Sequence, residues 1–183
     1  MIIGLTGANA SGKGKAASYL KSKGFEYYSL SDILREEAGR RKIEPSRENL
    51  IKLGNELRKE KDASVLADLT VKKIKDKKDC VVDSIRNPFE IKALRKLKGF
   101  TLIGIEAPIE IRFKRAMERK RPGDPETIED FIEKERKENT QSSTNQQLEN
   151  CLKLADKIII NDSKIEEFHK KIDLVISRHC EEA

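Results

Sequence analysis

The first twenty residues constrain the fold more than any other part of the chain. A short apolar run at residues 2–5 is followed by a turn of small residues at 7–12, and then by apolar residues at helical spacing. An apolar run of this length is typical of a buried strand, and the spacing of Ala16, Ala17 and Leu20 is typical of a helix that packs on one face. The order strand, tight turn, helix predicts the first unit of an α/β fold.

The turn matches a phosphate-binding loop (P-loop, Walker A), because residues 7–13 read Gly-Ala-Asn-Ala-Ser-Gly-Lys. In such a loop the main-chain N–H groups curl around an anion, and the N-terminus of the following helix adds partial positive charge. Lys13 would place its ammonium on the outer phosphates of a nucleoside triphosphate. The alternative is a chance glycine-rich turn. The predicted nucleotide-binding residues here are Gly7, Ala8, Asn9, Ala10, Ser11, Gly12, Lys13, Gly14 and Lys15.

The residue after Lys13 departs from the usual pattern. Loops of this type continue with Ser or Thr, whose hydroxyl binds Mg²⁺, but in this chain Gly14 and then Lys15 follow. Ser11 and Ser18 carry nearby hydroxyls and are weak substitutes. We therefore expect that groups outside the loop provide most of the ligands of Mg²⁺.

Two polar residues that follow apolar runs are further candidates. Asp83 comes after the run at residues 80–82, and in P-loop proteins an acid at the end of such a strand contacts Mg²⁺ directly or through water. We predict the contact through water, and the alternative is an Asp that caps the turn before Pro88. Asn161 follows the last apolar run. We predict that it binds the nucleotide base, with a plain turn as the alternative.

Five apolar segments alternate with helical patterns along the chain. This alternation predicts one α/β domain over residues 1–183, with a parallel sheet covered by helices. Ligands of such sheets bind beyond the carboxyl ends of the strands. We expect acceptor-binding helices at about residues 31–76, and the first of them, at 33–41, is capped by Ser31 or Asp32. We also expect a lid at about 112–147 with a mobile connection at 139–147. The five predicted strands are 2–5, 25–29, 80–82, 100–105 and 157–160.

Four residues are candidates for binding the phosphate acceptor. Asp32 follows the second predicted strand, where a carboxylate can take the proton of an acceptor hydroxyl or orient the acceptor. Its alternative is a simple helix cap. Arg35, Arg58 and Arg86 could clamp an acceptor phosphate, because a guanidinium matches phosphate bidentately and stays charged. The alternative for each is a solvated ion pair.

The predicted lid begins with a strongly basic helix. Residues 112–121 contain six basic residues and one acidic residue, and Arg112, Arg115 and Arg119 fall on one helical face. Such cations can close over the transferring phosphates, so we predict catalytic roles for Arg115 and Arg119. The residues at 122–123, Pro and Gly, predict a hinge. The alternative is an exposed basic face that pairs with the acidic segment that follows it.

Composition limits the remaining possibilities. Charged residues make up 38% of the chain and the net charge is +6, which suits an anionic small substrate better than nucleic acid, because no basic stretch is interleaved with aromatics. The three Cys and two His residues show no zinc spacing. No apolar stretch is long enough for a membrane span, and no signal peptide is evident, so we expect a cytoplasmic protein.

Longer segments resemble known P-loop kinases. The opening IIGLTG resembles dephospho-CoA kinases, and GKG is similar to adenylate kinases. Three segments resemble small archaeal adenylate-kinase-related proteins: DSIRNPFEIKAL, RFKRAMER and ADKIIINDSKIEEF. Four resemble the kinase-like module found ahead of some deoxycytidylate deaminase domains: GANASGKG, SLSDILREE, GNELR and DSIRNP. The resemblance implies a three-layer P-loop NTPase fold with strand order 2-3-1-4-5, ATP with Mg²⁺ as donor, and an arginine-rich helical lid.

We therefore expect ATP-dependent phosphoryl transfer to a small nucleotide-like acceptor, most simply a (deoxy)nucleoside monophosphate. Lys13, Asp32, Arg115 and Arg119 would carry the catalysis. Dephospho-CoA is an alternative acceptor. Two other classes stay open: a nucleotide sensor without chemistry of its own that regulates a partner such as a deaminase domain, and an NTPase linked to RNA.

Overall fold

A computed structural model of the chain describes residues 1–119, 126–139, 142 and 145–181. Within these residues five strands alternate with helices. The strands are β1 (Ile2–Thr6), β2 (Glu26–Ser29), β3 (Cys80–Asp83), β4 (Phe100–Glu106) and β5 (Lys157–Ile160). The helices are α1 (Lys13–Ser22), α2 (Leu30–Arg40), α3 (Arg47–Glu60), α4 (Val65–Ile74), α5 (Pro88–Leu94), α6 (Ile109–Arg119), α7 (Ile128–Glu138), α8 (Leu148–Lys153) and α9 (Ile165–Glu181).

The strands form one parallel sheet in the order β2-β3-β1-β4-β5. This order confirms the fold class predicted from the sequence. β1 is the central strand and every one of its residues is buried, as expected for a parallel strand covered on both faces. Because all five strands run the same way, their carboxyl ends meet at one edge, and the loops that follow them lie close together.

Two hydrophobic clusters fill the space on the two faces of the sheet. On one face Ile3 and Leu5 of β1 pack with Leu20 of α1 and Phe168 of α9. On the other face, Ile2 belongs to a larger cluster with α2, α3, α4, α5 and α8. Alternate residues of β1 therefore point to opposite layers, and the sheet is the middle layer of three.

The start of α2 differs from its prediction. The N-cap is Ser29, which is extended (φ −139°, ψ 132°) and whose Oγ accepts a hydrogen bond from the Ser31 N–H at 3.2 Å. The prediction of Ser31 or Asp32 as the cap was wrong, because β2 passes directly into the helix without an intervening loop. The last residue of the strand is therefore the one that can cap.

The region predicted as a lid is only partly described. Lys120, Arg121 and the predicted hinge at residues 122–123 lie outside the described residues. In the segment predicted as a mobile connection, Asn139 pairs with Gln146 in an isolated bridge. No helix in the described parts of the chain has the length and apolar character required to cross a membrane.

Candidate nucleotide-binding site

The loop between β1 and α1 is sharply curled. Gly7 and Gly12 have φ angles of 142° and 110°, and Ala10 has a φ of 58°. A Cβ on Gly7 would lie 2.1 Å from the carbonyl oxygen of Ile105, and a Cβ on Gly12 would lie 2.1 Å from Nδ2 of Asn161. Both positions therefore require glycine, for backbone conformation and for space. This geometry matches a main chain that turns its N–H groups toward an anion.

Lys13 folds back over the loop. Its Nζ donates hydrogen bonds to the carbonyl oxygens of Gly7 and Ala8, both at 2.8 Å. Burial lowers the pKa of Lys13 to about 8, and the nearby Asp83 carboxylate acts in the opposite direction. Both hydrogen-bond partners are neutral, so the ammonium lacks a paired anion among the described residues. A phosphate group would supply one.

Asp83 lies at the carboxyl end of β3, next to the central strand. It is 8% exposed, and its Oδ1 accepts a 2.6 Å hydrogen bond from the Ser84 N–H, while its Oδ2 accepts a long one, 3.4 Å, from the Tyr27 hydroxyl. The first contact is the turn cap that was the alternative for this residue. The second leaves Oδ2 weakly bound and able to accept from metal-bound water, so the two roles are compatible.

The residues around the loop offer few direct ligands to Mg²⁺. Ser11 is fully buried and its Oγ has no hydrogen-bond partner in the described structure. That Oγ lies 3.1 Å from the Cβ position of Gly7, beneath the loop, and Ser18 is exposed on α1. Among the described residues no three His, Cys, Asp or Glu side chains form a metal-binding group. A Mg²⁺ ion would therefore fit here only as one held mainly by nucleotide phosphates, with Asp83 reached through water.

Helix α6 places three arginines against the loop. Arg112 donates to the Asn9 carbonyl at 3.3 Å, Arg115 to the Ser11 carbonyl at 3.4 Å, and Arg119 to Asn9 Oδ1 at 3.1 Å. The predicted single face of the helix therefore meets the P-loop. Arg112 also forms an ion pair with Glu135 of α7, so the alternative, pairing with the acidic segment, applies to Arg112.

Asn161 braces the loop from the end of β5. It is 5% exposed, and its Nδ2 donates to the Ser11 carbonyl at 2.8 Å. Its own carbonyl oxygen accepts from Arg115 at 3.1 Å. These contacts attach Asn161 to the loop backbone, and binding of the nucleotide base by this residue stays a prediction.

A cavity of about 530 Å³ opens beside the loop, between α2, α3 and the end of β3. Its lining combines apolar, uncharged polar and basic side chains, with two acidic ones. The uncharged polar side chains are Asn9, Ser31, Ser46, Ser84 and Gln146. The apolar side chains include Leu30, Leu34, Leu50, Ile51 and Leu66. The basic side chains are Lys13, Arg35, Arg47, Arg58, Arg86 and Arg119, and the acidic ones are Glu44 and Glu138. The excess of positive charge in this lining favours an anionic ligand.

The predicted acceptor residues occupy different positions around this cavity. Arg86 is half-buried and donates to Oε1 of Gln146 at 3.2 Å, and burial lowers its pKa. Arg58 is buried in an ion pair with Glu90 at 2.8 Å. Arg35 pairs with Asp32 at 2.7 Å. The Asp32 side chain is half-exposed and does not line the cavity.

Arg47 was missed by the sequence reasoning. It lines the cavity and pairs with Glu138 at 2.8 Å, although in the sequence it is an ordinary charged residue at a helix start. One signal could have identified it, because a cation in the first turn of a helix opposes the helix dipole and needs another reason to be there.

Proteins with similar sequences or structures are known, and their fold agrees with the P-loop geometry described above. A family model described as an AAA domain matches residues 6–132. A UPF0200 protein of Hyperthermus butylicus is 36% identical over 180 residues, which cover 97% of this chain and 94% of that protein. The shikimate kinase of Aquifex aeolicus has a TM-score of 0.53 at 22% identity, with 98% of each chain covered. A gluconokinase of Sinorhizobium meliloti has a TM-score of 0.59 at 11% identity, with 98% of this chain and 93% of that one covered. The fold is thus that of P-loop kinases.

The first prediction concerns Gly12. We expect Gly12→Ala to weaken ATP binding about tenfold or more, because the Cβ would displace Asn161 and open the loop. Gly24→Ala is the matched control, since Gly24 also has a positive φ, 97°, but has open space around its Cβ position. Isothermal titration calorimetry measures both. Equal effects of the two substitutions would show that a general loss of stability, and not the contact with Asn161, weakens ATP binding.

The second prediction follows from the lowered pKa of Lys13. Below about pH 8 the ammonium is charged and binds phosphate, whereas above it the free protein loses this proton and ATP binding must recover it. We expect the Kd for ATP to be nearly constant from about pH 7 to 8 and to rise up to about tenfold per pH unit above that. Phosphate ionises near pH 6, below this window.

Lys13→Arg provides the control, because a guanidinium stays charged throughout this range. Calorimetry in buffers of different ionisation enthalpy measures the proton uptake directly. A pH slope that persists in Lys13→Arg would assign the titration to another group.

Proposed function

The chain belongs to the UPF0200 family and contains an AAA domain, and from this premise we propose that it transfers the γ-phosphoryl group of ATP to a small nucleotide-like acceptor. A (deoxy)nucleoside monophosphate is the first choice and dephospho-CoA the alternative. The observation that carries the proposal is the basic cavity beside the P-loop. A loop that only bound nucleotide would not need this second anion-binding wall.

The P-loop and α6 would bind the donor. The loop N–H groups and Lys13 would hold the β- and γ-phosphates, and Mg²⁺ supplied with ATP would neutralise part of their charge. Arg115 and Arg119 already reach the loop. On binding, phosphate oxygens would become acceptors for both guanidinium groups, which places positive charge where the transition state develops negative charge.

The cavity would bind the acceptor. Arg86 has a neutral amide as its side-chain partner, so a phosphate of the acceptor would give it the anion that it lacks. The apolar walls would hold the remainder of the acceptor. For Asp32 to orient the acceptor hydroxyl, its ion pair with Arg35 must first open, and this change would accompany acceptor binding.

A second candidate function is nucleotide sensing without phosphoryl transfer. The absence of a hydroxyl after Lys13 favours it, because the usual direct protein ligand of Mg²⁺ is missing. Such a module would regulate a partner, for example a deaminase domain. It would bind ATP and release no ADP in response to any acceptor.

The third prediction tests transfer against sensing. We expect ADP formation to depend on one member of a panel of nucleoside and deoxynucleoside monophosphates and dephospho-CoA. Lys13→Ala should lower kcat/KM about 100-fold or more, because it removes a cation from the transferring phosphates. Lys21→Ala, an exposed lysine of the same helix, should have the wild-type rate.

Two results would contradict phosphoryl transfer. Tight ATP binding with no acceptor-dependent ADP would support the sensor. ADP formation that is equal in Lys13→Ala and the wild type would place the chemistry outside this loop.

The fourth prediction restores the missing hydroxyl. A Cβ on Gly14 would meet no atom within 4 Å, so Gly14→Ser adds a metal ligand at the usual place without a clash. We expect the Mg²⁺ concentration that half-saturates ATP binding to fall several-fold, about threefold or more. Gly14→Ala adds the same Cβ without the hydroxyl, so it should leave this concentration near the wild-type value. Equal responses of both variants would show that the metal lies away from this position.

A further inference from the structure

A carboxylate buried behind the acceptor cavity joins two arginines of its wall. Glu90 is fully buried in the first turn of α5. Its Oε1 accepts hydrogen bonds from Nε and Nη2 of Arg58, at 3.2 and 2.8 Å. Its Oε2 accepts from the main-chain N–H groups of Arg86 and Asn87, at 2.8 and 3.0 Å. Four N–H donors therefore surround this one side chain.

Helix capping alone does not explain a charged residue at this position. Glu90 completes a capping box with Asn87, but Gln performs that task as well as Glu. The negative charge matters to Arg58, whose side chain is 4% exposed and would otherwise be a buried cation without a counter-ion. The charge of Glu90 therefore keeps the Arg58 guanidinium in the cavity wall.

The same carboxylate also fixes the main chain of Arg86. The Arg86 N–H is bound to Glu90, and the Arg86 carbonyl accepts from the Gln147 N–H at 2.8 Å. The backbone is thus held on both sides, while the side chain lines the cavity and bonds to a neutral amide. The position of the Arg86 guanidinium therefore depends on these two main-chain hydrogen bonds.

We propose that Glu90 is the positioning residue of the anion-binding wall, which sets the Arg58 side chain directly and Arg86 through its main chain so that both bind the phosphate of a nucleotide acceptor. The inference rests on the acceptor cavity of the proposed function. It assigns to Glu90 an effect on acceptor affinity that a purely structural cap would not have. Glu90 acts through the two arginines and does not touch the ligand.

Glu90→Gln is the test, because the amide oxygen can still cap the helix while the charge on Arg58 loses its partner. The probes are AMP, GMP, CMP, UMP and dephospho-CoA, titrated by calorimetry, with ATP measured in parallel. We expect the Kd of the probe that the wild type binds most tightly to rise about tenfold or more. The Kd for ATP should stay within about twofold.

Asp156→Asn is the control for loss of a carboxylate with the same two kinds of contact, in a half-exposed pair that does not line the cavity. One of its oxygens pairs with Arg95 at 2.8 Å, and the other accepts from the Leu102 N–H at 2.8 Å. This variant should leave both affinities near wild-type values. Comparable weakening in Asp156→Asn would overturn the inference, since any loss of stability would then suffice.

A double variant separates positioning from stability. Replacing both partners of a buried ion pair by neutral or apolar groups removes the unpaired cation and often restores stability. Glu90→Gln with Arg58→Met should therefore recover the Tm lost in Glu90→Gln, while the monophosphate affinity stays weak. Recovery of affinity together with Tm would overturn the inference.

The remaining outcomes distinguish this inference from the proposed function. If the wild type binds none of the probes, or if Glu90→Gln weakens ATP as much as the monophosphate, the inference is wrong. If a probe binds as described but no ADP forms in its presence, the anion-binding wall stands and the kinase proposal fails.

Discussion

The contact between the P-loop and the ends of two neighbouring strands is the constraint on which the site depends. Gly7 packs on the carbonyl of Ile105 in β4, and Gly12 packs on Asn161 after β5. Asn161 also binds the Ser11 carbonyl. These contacts form because β1, β4 and β5 are parallel neighbours whose loops leave the same edge of the sheet. The curvature of the loop is therefore set by the tertiary structure.

The basic groups at this edge of the sheet are of two kinds, which differ in whether their partners are charged or neutral. Some are held by carboxylates on neighbouring elements, which fixes their positions and reduces the net charge. These ion pairs are Arg47–Glu138, Arg58–Glu90 and Arg112–Glu135. Lys13 and Arg86 instead bind neutral oxygens. Desolvation is the main cause of the lowered pKa of each, and bound phosphate would offset it in both places.

The sequence predicted those features that local patterns encode. The apolar runs placed all five strands, and the spacing of Arg112, Arg115 and Arg119 placed them on the helical face that meets the loop. The cap of α2 could not be predicted in the same way, because it depended on the absence of any loop after Ser29. Helical periodicity also could not show that Asp32 lies outside the cavity, because it does not give the position of a helix relative to the cavity.

Long-range partners account for most of what the sequence could not show. Glu90 lies 32 residues from Arg58, and Glu138 lies 91 residues from Arg47. No periodicity relates residues at such separations, and in a chain with 38% charged residues every arginine has many possible partners. Arg58 was therefore predicted as a phosphate ligand from its residue type alone, and the buried counter-ion that holds it became evident only in the folded structure.

The chemistry of the cavity wall limits the acceptor further than the fold does. A polyhydroxylated acceptor needs hydrogen-bond partners along its whole length, since an unpaired buried hydroxyl is costly. The lining offers both kinds of contact, because Leu30, Leu34, Leu50 and Ile51 lie among uncharged polar side chains. These are Asn9, Ser31, Ser46, Ser84 and Gln146. The apolar side chains can stabilise part of a ligand by contact, and the basic ones, among them Arg86, favour an anion. The excess of positive charge is therefore the most selective feature of the lining, and it favours an anionic ligand within a fold that other small-molecule kinases share.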